Sequence, residues 1–215
     1  MKPLVILRPE PGASRTAAAA EALGLAARKV PLFAIAPVEW TAPDPKDFDA
    51  LVFTSANAVR HAGAQLARLT TLPVYAVGEA TAALAAETGF KIATVGDGGA
   101  RQMQLPQGQR LLHLAGRDHL PIAGAVTMKV YEALPTEHPA GIDTLDDCVV
   151  AVHSARAGAR LAELLAERSR TAIAALSPAA AAASGDGWLT VQAAAEPSDA
   201  ALLALAARLC KSHAQ

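Results

Sequence analysis

Residues 52–60 read VFTSANAVR: an apolar, β-branched and aromatic run that stops at Thr54-Ser55, then alanine, asparagine and a helical pattern. The composition change places a buried strand and a helix on either side of one corner, with a small hydroxyl residue at the turn. The phrase returns at residues 151–158, AVHSARAG. Working outward, Gly78 follows Ser55 by 23 residues and Ser177 follows Ser154 by the same 23, each again between an apolar run and an alanine-rich stretch. Strand, small residue, helix, strand, small residue, helix: the chain repeats one unit, which favours duplication over a general α/β rhythm.

Short apolar runs alternate with helical stretches throughout. Strands are expected at 4–7, 30–35, 50–55, 74–78, 91–96, 111–116, 126–134, 148–154, 173–177 and 188–192, and helices at about 13–23, 56–68, 79–88, 155–167, 178–184 and 198–210. This alternation predicts parallel sheets covered by helices. Two proline-bearing stretches, APVEWTAPDP (36–45) and EALPTEHPAG (132–141), interrupt it and suit connectors. The expected organisation is a discontinuous domain, 1–35 with 142–215, and an inserted domain, 46–131, joined by the linkers 36–45 and 132–141.

Composition narrows the function classes. Of 215 residues 52% are hydrophobic but only 4% aromatic, so the core should pack helix on sheet through small contacts. A net charge of −1, with 19 basic and 20 acidic residues interspersed, argues against nucleic acid or an anionic membrane as partner. The segment MKPLVILRPEPG has too few apolar residues before Arg8 for a secretory core, and no run approaches a membrane span, which predicts a cytoplasmic protein. Cys148 and Cys210 lack metal or redox spacing and read as reduced core thiols.

At the carboxyl edge of a parallel sheet, helices that begin directly after strands aim unpaired N–H groups and a positive dipole end outward, and anions bind there. Ser55 and Ser154 suit such corners, and Gly78 and Ser177 the second of each pair, with Thr81 one turn further on. Each is equally an ordinary helix cap. Taken together the four predict a polyanionic ligand between the lobes, held chiefly by backbone amides. Arg8 ends the first strand, either meeting a carboxylate or as a solvated charge. Glu79 either orients a substrate or favours its helix N-terminus. Tyr131 presents its phenol to a cleft or packs a hinge. VGDGGAR (95–101) matches no nucleotide fingerprint and reads as a tight turn. His113 and His119 fit no zinc spacing. His153 and Ser154 are adjacent on a strand, point to opposite faces and cannot form a nucleophile dyad, so His153 reads as half-buried.

The ordered series LVILRPEPGASRTAAAAEALG, DALVFTSANAVR, VYAVGEATAAL, LLHLAGRDH, VYEALP, AVHSARAGARLAELL, IAALSPAAAAA and AAAEPSDAALLALAARL resembles the uroporphyrinogen-III synthase family from end to end. The resemblance implies two doubly wound, flavodoxin-like α/β lobes joined by a two-stranded linker, as in HemD proteins. It implies a cytoplasmic, monomeric lyase of heme biosynthesis without metal or organic cofactor. Its substrate would be hydroxymethylbilane, whose eight carboxylates suit helix N-termini, with the upstream hydroxymethylbilane synthase as a partner. On this resemblance Tyr131 donates to the leaving hydroxyl. Arg8, Ser55, Ala56, Asn57, Gly78, Glu79, Thr81, Ser154, Ala155, Ser177 and Ala179 contact substrate. The chain departs from the family at Ser177-Pro178-Ala179-Ala180, where many members read Gly-Pro-x-Thr, and in a shortened stretch after LLHLAGRDH. Those departures motivate a second reading, a non-catalytic binding or regulatory protein for a small anion. A nicotinamide- or flavin-dependent enzyme would rest on fold analogy alone.

Overall fold

The computed structural model describes residues 1–96, 103 and 105–212. In chain order the elements are β1 (Leu4–Ile6), α1 (Gly12–Ala22), β2 (Ala27–Lys29), β3 (Phe33–Pro37), β4 (Ala50–Phe53), α2 (Ala56–His61), β5 (Val74–Val77), α3 (Glu79–Glu87), β6 (Ile92–Gly96), β7 (Leu111–Gly116), β8 (Ala125–Pro135), β9 (Val149–Val152), α4 (Ala155–Leu164), β10 (Ala172–Ala175), α5 (Pro178–Ala183), β11 (Thr190–Ala193) and α6 (Asp199–Ser212). They form two compact units, Met1–Ala34 with Pro135–Gln215, and Ile35–Leu134.

The first unit holds a sheet in the order β11-β10-β9-β1-β2, parallel throughout. Counted within the unit this is the doubly wound order 2-1-3-4-5, which reverses between β1 and β9. Alternate strand residues, Leu4, Ile6, Val149, Ala151, Ala172 and Ala174, pack with Ala13, Ala17 and Ala20 of α1 and with the leucines of α6. Period two turns Val5, Val150 and Ile173, also fully buried, to the opposite face. Burial of each such aliphatic side chain contributes about 1.5–3 kcal/mol. Small residues set the spacing between α4 and α5. A Cβ added at Gly158 would lie 2.8 Å from the Ala180 carbonyl oxygen and 3.0 Å from the Ser184 nitrogen.

In the second unit the order is β3-β8-β7-β4-β5-β6, with β8-β7-β4-β5-β6 parallel. Its parallel strands read 3-2-1-4-5, and the reversal falls between β4 and β7. Leu51, Phe53, Leu112 and Leu114 pack there with Val59, Leu66 and Phe90. The chain passes between the units along β3 and β8, which neighbour each other; Thr136 N–H donates to the Leu32 carbonyl (2.9 Å) and Val38 N–H to the Val130 carbonyl (3.0 Å).

Two elements differ from expectation. The strand read at 30–35 is two strands, β2 before it and β3 overlapping its end. Pro31 removes a ladder donor, and Val30 and Leu32 are buried as connector residues, while the edge strand β2 carries no apolar run. The helix read at 56–68 stops at His61; Gly63, at φ +65°, ends it, and 3-10 turns follow over Gly63–Leu69. Of the turn read at VGDGGAR, residues 97–101 lie outside the described residues. Both cysteines are free and buried, and among the described residues no helix is long and apolar enough to cross a membrane.

Candidate functional site

In the first unit three neighbouring strand ends carry Arg8, Ser154 and Ser177. Ser154 and Ser177 are extended (φ −154° and −151°), and their hydroxyls accept from the N–H groups of Ala157 (3.2 Å) and Ala180 (3.3 Å). Each serine therefore caps its helix, with Ala155 the first helical residue after Ser154, and Pro178 and Ala179 the first two after Ser177. Neither α4 nor α5 has an acid in its first turn, so no side-chain carboxylate there answers the positive helix end.

Arg8 is answered from within. Its Nη1 donates to both carboxylate oxygens of Asp199, at 2.9 and 3.2 Å, and to the Thr16 hydroxyl at 3.3 Å. Asp199 opens α6, a position favourable for a carboxylate. His153 lies alongside, its Nε2 3.6 Å from Asp199, with the side chain only 9% exposed. Burial and then the Arg8 charge push His153 down to about 4. Neither of its ring nitrogens has a hydrogen-bond partner, so no bond joins it to the Ser154 hydroxyl. Asp199 was missed in the sequence. Its signal, Ser198-Asp199 before an alanine–leucine run, is that of a helix start.

In the second unit Ser55 and Gly78 end the adjacent strands β4 and β5. The Ser55 hydroxyl accepts from Asn57 N–H at 3.2 Å, so that amide is bonded to the cap; Ala56 is the first residue of α2. Gly78 takes φ +81°, a backbone that requires glycine, and donates to the Gly96 carbonyl. Glu79 lies in the first turn of α3, and Thr81 is buried at 5% exposure.

One strand beyond β7 comes Tyr131. The β7–β8 register shifts between Ala115 and Gly116, so Gly116 pairs with Tyr131 although Ala115 pairs with Lys129. The phenol ring lies against the Gly116 backbone, and the His61 ring stands 6.3 Å away between centroids. Burial, reinforced by Arg60, keeps His61 below its ordinary pKa. Beneath this edge His113 is fully buried between the hydroxyls of Thr54 (3.1 Å) and Thr127 (3.5 Å), and burial pushes it to about 4. Thus Ser55, Gly78, Gly116 and Tyr131 share one sheet edge, while Arg8, Ser154 and Ser177 share the other unit's. Among the described residues, no group of three or more His, Cys, Asp or Glu could hold a metal ion.

A family model described as uroporphyrinogen-III synthase HemD matches residues 14–204. The chain belongs to the uroporphyrinogen-III synthase family. In fold it is similar to the uroporphyrinogen-III synthetase of Helicobacter pylori, with a TM-score of 0.68 at 19% identity over 97% of this chain and 100% of that one. It is also similar to a mutant uroporphyrinogen III synthase from Thermus thermophilus, at 0.50 and 19% over 97% and 99%. No curated protein matches the sequence. Within the synthase family's pattern the chain's departures have a structural place. Ala180, where many members carry threonine, is fully buried beneath α4, and residues 117–124 join β7 to β8 without a helix.

Proposed function

We propose that this chain closes hydroxymethylbilane into uroporphyrinogen III, releasing water and inverting the last pyrrole ring. The observation that carries this reading is the family match over residues 14–204. Two arrangements support it. A bilane bearing eight carboxylates needs several anion-accepting positions, and Ser55, Ser154 and Ser177 each open a helix whose first turn holds no acid. Gly78 supplies a fourth corner.

Tyr131 is read as the donor to the departing hydroxyl, which leaves as water and generates an azafulvene. The already substituted α-carbon of the last pyrrole ring, at the opposite end of the bilane, closes on that centre to a spiro intermediate. Its original bond to the preceding ring then breaks, and the ring's free α-carbon recloses on the carbon so released, losing a proton, in the inverted sense. The bilane closes unaided to the uninverted isomer I, so conformation must be controlled as strictly as departure is assisted. A phenol is a weak general acid, and a partial contribution is what the reaction asks of it.

On the same reading, the two compact units are the domains, with 36–45 and 132–141 as linkers. The protein works as a cytoplasmic monomer that receives its short-lived substrate from the upstream synthase. Arg8, committed to Asp199, serves the corner indirectly. The test is to supply freshly made hydroxymethylbilane and separate the product isomers. Isomer III is expected; isomer I alone, formed at the rate seen without protein, would overturn the proposal.

A further inference from the structure

The placement of Tyr131 depends on a residue that does no chemistry. Gly116 ends β7, and a Cβ built there would lie 2.6 Å from Tyr131 Cζ, 2.7 Å from Cε2 and 3.0 Å from the phenol oxygen. Real side-chain contacts stay well outside such distances, so the ring occupies the volume in which any other residue at 116 would put its side chain. The alignment is built in. Without the register shift after Ala115, Gly116 would stand level with Val130, which is fully buried in the unit's core; the shift sets Tyr131 there instead. Irregularities of this kind re-aim a side chain at the end of a strand.

The Gly116 peptide is also held from two sides. Its carbonyl accepts from Nδ1–H of His119 at 2.9 Å, the only direction such a bond can run. The next amide, Arg117 N–H, donates to the Tyr131 carbonyl at 2.8 Å, and the Arg117 guanidinium pairs with Glu132 at 2.8 Å. Strand β8 is thereby fixed beside Gly116 by one backbone bond at Tyr131 and one side-chain pair at Glu132. The His61 ring stands near the phenol as well, 6.3 Å between centroids and tilted by 39°.

We propose that Gly116 is a positioning residue for the reaction, its missing side chain forming with His61 the slot that holds the Tyr131 hydroxyl where the substrate's leaving group arrives. This rests on the reading of Tyr131 as proton donor. A proton donor is effective only within hydrogen-bond reach of its target, and displacement by about 1 Å costs on the order of a hundredfold.

The experiment is a double-mutant cycle of Gly116→Ala and Tyr131→Phe, with kcat, KM and melting temperature measured for all four chains. Gly116→Ala is expected to lower kcat by about ten- to a hundredfold with KM within about twofold. In the Tyr131→Phe chain it should leave kcat unchanged, because no hydroxyl remains to misplace. The clash with the ring persists in both backgrounds, so the melting temperature should fall by a similar few degrees in each. Wild-type kcat in Gly116→Ala, or the same fold loss in both backgrounds, would overturn the proposal. If Gly116→Ala does not fold, His61→Ala removes the second group beside the phenol ring. A several-fold loss of kcat confined to chains that retain the phenol is then expected, and no loss, or an equal loss in both, counts against it. Tyr131→Phe alone at wild-type kcat would instead remove the reading of Tyr131, and the positioning role with it.

Discussion

At the carboxyl edge of the first unit's sheet, Arg8 is held by Asp199 and Thr16, with His153 buried beside them. At the same edge of the second unit the ion pair, Arg117 with Glu132, adjoins a tyrosine instead. A phenol lies on a glycine, and the His61 ring adjoins it. Both edges share helix starts capped by an extended serine, Ser55 accepting from the amide two residues on and Ser154 and Ser177 from the amide three residues on. The common part suits anion binding by backbone, and the part that differs divides the labour: the first edge ties its strand-end arginine to a carboxylate, and the second carries the group able to move a proton.

That division can be broken most strongly with acid. His113 in one unit and His153 in the other are both held at about 4. The unfolded chain keeps an ordinary histidine near 6.5, so it binds more protons between the two values, and stability falls as pH drops from about 6.5 to about 4. The loss is roughly 3 kcal/mol for each histidine. Trp40 lies in the second unit and Trp188 in the first, and they are the only two tryptophans. Urea titrations of the single Trp→Phe variants at pH 7 and 4.5 therefore read each unit separately. Both should weaken in acid, and His113→Gln should flatten the dependence only in the chain reporting through Trp40. An unchanged slope there would deny His113 its neutral burial.

Next in size, Tyr131→Phe should lower kcat about a hundredfold, near 2.7 kcal/mol, with little change in KM. Ser154→Ala and Ser177→Ala should each cost about 1 kcal/mol of stability through the lost cap. They should also raise KM several-fold without abolishing turnover, and loss of turnover at unchanged KM would contradict a binding role. The smallest effect belongs to Asp199→Asn. The pair with Arg8 is partly exposed, 27% and 48% for the two side chains, and should be worth less than about 1 kcal/mol in denaturant titrations.

Much of this could be read from the residues because strand ends announce themselves. Ser55, Ser154 and Ser177 stand where an apolar run meets alanine, and each is the cap that pattern implies. The 23-residue spacing corresponds in both units to one step between adjacent strands, β4 to β5 and β9 to β10. What stayed hidden depends on contacts distant in sequence. Edge strand β2 is too polar to give an apolar run, and Val30 and Leu32 gave one without being strand. Asp199 meets Arg8 across 191 residues. Gly116 looks like any strand-ending glycine until the register shift sets Tyr131 beside it. His153, expected to be half-buried, is of intermediate exposure, with both ring nitrogens covered.

The central claim is that these corners and this phenol make a catalyst of uroporphyrinogen III, and counting turnovers tests it most directly. With the protein at about one part in a thousand of fresh hydroxymethylbilane, isomer III should accumulate to hundreds of molecules per chain before unaided closure exhausts the substrate. Isomer III limited to about one molecule per chain, or isomer I throughout, would contradict the account.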